Sequence, residues 1–162
     1  MKPKLILMMT IIFSLSLFNY NEGIKAQGQQ ATQIAGSIIE AVNQIDIVSL
    51  NVLLASDADI EAVDGYGNTP LMLASKIGNL RMFRIIMAHN PNINARNKFN
   101  ETALMIAAEH GQAEIVRILL QNGANRYVRN QSGLTPAELA RRNGHSQIIN
   151  LLRDPNETPL SR

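Results

Sequence analysis

One stretch of sixteen residues recurs three times in this chain at a constant spacing. It reads NTPLMLASKIGNLRMF from residue 68, ETALMIAAEHGQAEIV from residue 101 and LTPAELARRNGHSQII from residue 134. The three copies align without a gap. A constant period of about 33 residues is typical of proteins built by stacking one small structural unit, so it constrains the fold before any search for an active site.

Each copy predicts two short helices separated by a turn. A Thr can cap the first helix, Pro70 and Pro136 fit its first position, and the shared Gly can end it in a left-handed conformation. A second, aliphatic helix follows, and Asn-rich and Gly-rich turns lead to the next copy. One such pair cannot bury enough surface alone, so the copies must stack. The shared positions are Thr69, Thr102 and Thr135; Ala74, Ala107 and Ala140; and Gly78, Gly111 and Gly144.

A degenerate copy precedes these three. Ala41 falls on the shared Ala position, but Gly36 stands in place of the Thr and Ile45 in place of the Gly. Four units then fill residues 34–153, as 34–63, 64–96, 97–129 and 130–153. Terminal units face water on one side and are expected to be atypical, so the two end copies are interpreted as caps.

The segments GNTPLMLASKIGNLRMF, NETALMIAAEHGQAEIVRILLQNGAN and GLTPAELARRNGHSQIINLL resemble ankyrin repeats. This resemblance implies an all-α fold, a curved solenoid of about four stacked helix-turn-helix units joined by β-hairpin-like loops. The chain departs from the family pattern at several places. Met72, Met105 and Glu138 replace the family's usual His, Ala103 replaces a Pro, and Asn100 replaces a turn Gly.

Residues 1–26 have the layout of a secretory signal peptide. Lys2 and Lys4 precede an apolar run from Leu5 to Phe18, and Ala26 is the expected residue before cleavage. The run is shorter than the about 20 residues of a membrane span, although an uncleaved anchor is the alternative. We therefore expect an exported protein, periplasmic or secreted and without a stable membrane anchor, with a linker at 27–33 and a flexible tail at 154–162.

The mature chain is neutral but unevenly charged. Residues 27–80 hold one Lys against six acidic side chains, whereas residues 81–162 hold eleven Lys or Arg against six. A nucleic-acid binder needs a strongly basic footprint, so no nucleic-acid partner is expected. The basic half is interpreted as a solvated face, or as a patch for an acidic protein partner. We also expect a monomer.

No motif indicates catalysis. The chain has no Cys, and its three His residues lack a convergent set of partners for a metal or a reaction. Asp57, Asp59, Glu61 and Asp64 alternate as in a calcium loop, but they lack its central Gly and terminal Glu, which favours solvated turns. We therefore predict no enzyme activity, no metal and no cofactor.

The resemblance implies that a partner would contact the loop tips and the exposed face of each first helix. Tyr66 and Phe99 lie one full repeat apart, so stacking should place them side by side at neighbouring tips. They either anchor a partner or simply pack on each other. Carried over by position, the candidate binding residues are Tyr66, Asn68, Lys76, Ile77, Arg96, Lys98, Phe99, Glu101, Glu109, His110, Arg129, Gln131, Leu134 and Arg142.

Within that set, Leu134 is predicted to extend the aromatic row, and Arg96, Lys98 and Arg129 to select the charge of the partner. The leading hypothesis is a non-enzymatic protein-binding module. An inhibitor or immunity protein that neutralises an enzyme or toxin is a second hypothesis, and a secreted effector that binds host proteins is a third. All three need the same surface, and the fold alone does not choose between them.

Overall fold

The computed structural model describes residues 38–153, and this range is helical with no strand. The expected signal peptide, the linker and the tail lie outside the described residues. Helix α1 covers residues 38–43. The other helices are α2 (Ile47–Ala55), α3 (Pro70–Ile77), α4 (Leu80–Met87), α5 (Ala103–Glu109), α6 (Ala113–Gln121), α7 (Pro136–Arg142) and α8 (Ser146–Leu152). The predicted all-α solenoid of helix pairs is confirmed.

A threonine caps the first helix of each of the last three units. The hydroxyl oxygens of Thr69, Thr102 and Thr135 accept the backbone N–H three residues further along the chain. In the last unit the carboxylate of Glu138 also accepts the N–H of Thr135, which completes a capping box. Residue 70 and residue 136 are prolines at the first helical position, where no N–H is needed.

A left-handed residue separates the two helices of every unit. Gly78, Gly111 and Gly144 have φ angles of 78°, 77° and 75°. Ile45 occupies the same register in the first unit and adopts a φ of 57° without being glycine. A β-branched residue is rarely found there, and the left-handed region costs a non-glycine residue about 1–2 kcal/mol. The degenerate first copy therefore keeps the turn of the others, with local strain.

The units share one continuous aliphatic core. Helix α5 packs between α3 and α7 on one layer, and α6 contacts α4 and α8 on the other. The shared Ala74, Ala107 and Ala140 are fully buried, because a methyl group lets neighbouring helices approach closely. Met72 and Met105, which replace the family's usual His, are buried in this interior. Apolar side chains therefore fill the interior at both of these positions.

The loop tips repeat one hydrogen-bonded turn. In each of three units an Asp or Asn side chain accepts two backbone N–H groups, two and four residues further on. These residues are Asp64, Asn97 and Asn130. Backbone bonds join successive tips, from the N–H of Lys98 to the carbonyl of Tyr66 at 3.0 Å and from Gln131 to Phe99 at 2.9 Å. The tips are therefore fixed side by side.

No helix within residues 38–153 is both long and apolar enough to cross a membrane.

Candidate functional site

The aromatic side chains at the second and third tips form a stacked pair. The ring centroids of Tyr66 and Phe99 are 6.3 Å apart, and the ring planes meet at 29°. Tyr66 is nevertheless 63% exposed and Phe99 47% exposed. The adjacency expected from their spacing of one repeat is confirmed. Each ring covers part of the other and leaves a large area available to a partner.

The pair forms one wall of a groove of about 370 Å³ between the second and third units. Its floor is apolar and consists of Met72 and Leu73 of α3 and Ile106 of α5. Lys76, Glu109 and His110, from the C-terminal ends of the same two helices, complete the lining at the far end. A threonine caps the start of each of these helices, one unit apart, so the repeat itself brings the exposed faces of α3 and α5 together.

A polar network joins the second and third tips beside the aromatic pair. Asn97 is buried, and its side-chain N–H groups donate to Asn68 Oδ1 at 2.8 Å and to Glu101 Oε2 at 3.0 Å. Asn68 in turn donates to Asp64 Oδ2 at 2.9 Å. Burial alone would raise the pKa of Asp64, but hydrogen bonds from Asn68, Tyr66 and Gly67 outweigh it and hold the pKa below its ordinary value. The network holds the tips in one arrangement.

A comparison with known protein families matches the repeat region of the chain. A family model described as "Ankyrin repeats (3 copies)" matches residues 37–130 and, in a second match, residues 90–160. The chain is an ankyrin-repeat protein. Ankyrin repeats form a non-catalytic fold whose general role is protein–protein interaction. A comparison with curated proteins gives no significant match.

Seven of the predicted binding residues of this ankyrin-repeat protein line the groove together. They are Tyr66, Asn68, Lys76, Phe99, Glu101, Glu109 and His110. Arg96 is exposed at the third tip, and Ile77 is half-buried against the core. Arg142 is exposed at the end of α7. Whether any of them contacts a partner stays a prediction.

The prediction that Leu134 extends the exposed aromatic row is wrong, because its side chain is less exposed than those of Tyr66 and Phe99. Leu134 is half-buried and packs on Met105, Val128 and Leu139. The position that follows Tyr66 and Phe99 by one repeat is Ser132, which has no ring. The row of rings therefore ends at the third unit, and Leu134 contributes to the interior of the ankyrin-repeat stack.

Three polar side chains at the tips, those of Lys98, Arg129 and Gln131, already form hydrogen bonds within the protein. Lys98 Nζ donates to the carbonyl of Gly65 at 2.8 Å, and Gln131 Nε2 donates to the carbonyl of Lys98 at 2.6 Å. Arg129 Nη1 donates to the carbonyl of Gly133 at 2.6 Å and lies 3.3 Å from Glu138 Oε2. The bonds of Lys98 and Gln131 join adjacent tips, and those of Arg129 lie within the last tip and its helix. Charge selection by Lys98 and Arg129 would therefore compete with their structural role.

Sequence reasoning missed four groove residues of this ankyrin-repeat protein: Met72, Leu73, Asn97 and Ile106. In the sequence, Met72, Leu73 and Ile106 resemble ordinary core positions. Asn97 carried a signal, since it stands one repeat after Asp64 and one repeat before Asn130 in turns of the same kind. That shared register identifies it as the residue that organises the third tip.

The acidic residues that alternate as in a calcium loop stabilise turns. Asp59 Oδ1 accepts the N–H of Glu61, and Glu61 Oε1 accepts the N–H of Asn92 in the next unit. Asp57 adopts a left-handed φ of 55° at the position that Gly123 fills two repeats later. In the described part of the chain, no group of three or more His, Cys, Asp or Glu side chains could hold a metal ion.

We expect Asp64→Asn to reduce the acid sensitivity of this ankyrin-repeat protein. Because the pKa of Asp64 is lowered on folding, its ionised form contributes stability above about pH 4. That contribution is lost as the pH falls through the folded pKa. Asn97 and Asn130 hold the corresponding turns without titrating.

The variant should therefore lose less stability than wild type as the pH falls below about 4. Urea unfolding at several pH values measures the difference. Identical pH profiles for the two proteins would contradict the role assigned to the Asp64 carboxylate.

Proposed function

We propose that this protein binds a protein partner through the groove between its second and third units, with Tyr66 and Phe99 as the anchors. The observation that carries the proposal is the exposure of the stacked ring pair above an apolar floor. Large rings that the core does not need are costly to leave in water, and exposed aromatics commonly anchor protein interfaces.

Rigidity supports the same proposal. The groove is bounded by capped helices and by tips that hydrogen-bond to one another. The side chains that line it are therefore held in place before a partner arrives, which lowers the entropy cost of association. Arg96 is exposed at the third tip and would add a charge at the edge of the interface.

The double substitution Tyr66→Ala and Phe99→Ala tests the proposal. It removes both anchors, so we expect the affinity for the partner to fall at least about tenfold, a cost typical of interface hot spots. Partners are captured from a lysate of the source cells with wild type and with the variant, and are quantified by mass spectrometry. Circular dichroism verifies that the variant is folded.

Tyr127→Ala is the matched control. Tyr127 is 60% exposed but does not line the groove, so its substitution should leave capture unchanged. If the folded double variant retains the same proteins as wild type, the groove is not the binding site.

We further propose that the protein is exported to the periplasm or the medium. The support is the sequence of residues 1–26, with a basic start, an apolar run and Ala26 before a polar stretch. Expression of the full chain in a bacterium, followed by intact-mass measurement, should give a protein that begins at Gln27. A mass that includes residues 1–26 would favour the uncleaved anchor.

A further inference from the structure

We infer that the partner segment occupying this groove presents an arginine or lysine side chain to the third unit, next to an apolar residue that covers the aromatic pair. This inference rests on the proposed function and specifies the chemistry of the partner.

The first support is an excess of free hydrogen-bond acceptors on the third unit. Glu101 is half-buried, and only its Oε2 accepts a bond, from Asn97. Glu109 is also half-buried, and its carboxylate has no hydrogen bond or ion pair among the described residues. A partner that covers these carboxylates removes water from them and must supply donors in return.

His110 adds a third acceptor at the far end of the groove. Its Nδ1 lies 2.9 Å from the carbonyl oxygen of Ile106. A carbonyl oxygen can only accept, so Nδ1 carries the hydrogen and Nε2 is the acceptor of the neutral ring. The third unit thus offers two half-buried carboxylates to a donor from the partner, and Nε2 of the exposed, neutral His110 ring can accept one as well.

Three of the four side-chain amide N–H groups of Asn68 and Asn97 are already committed within the protein. Both N–H groups of Asn97 are used, one by Asn68 and the other by Glu101. Asn68 gives one of its two to Asp64. Lys76 lies one unit away and forms no ion pair with Glu109 or Glu101 within residues 38–153. The carboxylates therefore keep their negative charge for a partner.

An arginine side chain satisfies these features together. Its planar guanidinium group carries five N–H donors, which suit a carboxylate, and it stacks on aromatic faces such as those of Tyr66 and Phe99. Lysine supplies the same charge with a more compact head group. An acidic partner segment would instead be repelled by Glu101 and Glu109, and a purely apolar one would leave both carboxylates without donors.

The test uses phage-displayed random heptapeptides selected on the immobilised protein. We expect the enriched peptides to share an Arg or Lys beside an apolar residue, and their capture to weaken as salt is added. The double variant Glu101→Gln and Glu109→Gln should retain these peptides at least about fivefold less well, since it removes both charges. A glutamine side chain at position 101 can still accept the bond from Asn97, so the fold should be preserved.

Glu114→Gln is the matched control, because Glu114 is an exposed carboxylate on α6 that does not line the groove. It should leave capture unchanged. Two outcomes overturn the inference and leave the groove standing: enriched peptides that need Tyr66 and Phe99 but lack a basic residue, or capture that the double Gln variant does not reduce. If no peptide is enriched, or capture is independent of the two rings, the proposed function fails and the inference fails with it.

Discussion

Phe83→Ala is expected to lower the free energy of unfolding by about 3–5 kcal/mol, the usual range for a fully buried Phe. Phe83 lies on α4, is 0% exposed and belongs to the core that runs through all four units. Its removal leaves a cavity that short, capped helices cannot close by moving, because each is held by the units on either side. Urea unfolding of wild type and variant measures the loss.

The same substitution at Phe99 is the control. That ring is 47% exposed and stacks on Tyr66, so the loss should be less than half of that at Phe83. Equal losses at the two positions would mean that the tips are as tightly integrated as the core. The picture of rigid stacked units with a solvated edge would then be wrong.

Gly111→Ala should cost about 2–3 kcal/mol through two effects that add together. Gly111 has a φ of 77°, a region that an alanine occupies with strain. A methyl group there would also lie 2.9 Å from the ring of His145, whose Nε2 lies 3.0 Å from the carbonyl oxygen of Glu109. Since that oxygen can only accept, the ring donates the bond, and moving it breaks a link between the third and fourth units.

Gly144→Ala separates the two effects. Gly144 has a similar φ of 75°, but a methyl group there meets nothing within 4 Å. Only the backbone strain of about 1–2 kcal/mol should remain. When each glycine substitution is combined with His145→Ala, most of the difference in stability loss between the two should disappear. Equal thermal stability of Gly111→Ala and Gly144→Ala would refute the role given to His145.

Much of the fold could be predicted because the repeat encodes it locally. A capping Thr, a Pro at the first helical position and a left-handed Gly specify where each helix begins and ends without knowledge of its neighbours. The register then carries this assignment to divergent copies. Asn100 takes the left-handed position of a tip Gly with φ 59°, and Ile45 takes that of the Gly between the two helices in the first unit.

The site could be predicted only in part. A constant period states which side chains become neighbours, so the pairing of Tyr66 and Phe99 follows from the sequence and is confirmed by their stacked rings. It does not state how deeply a side chain is buried. Leu134 has the pattern of a tip residue but packs inward, since Met105, Val128 and Leu139 leave an apolar surface beside it.

The sequence by itself determined the units, their order and the pairs of residues that stacking brings side by side, because these follow from local caps and a constant period. Only the tertiary structure decided which polar groups remain free. Asn97 uses its whole hydrogen-bonding capacity on its neighbours, whereas Glu109, in the same groove, makes no side-chain bond within the described range. That difference depends on distances between units, which no single repeat encodes, and it leaves the Glu109 carboxylate available to a partner.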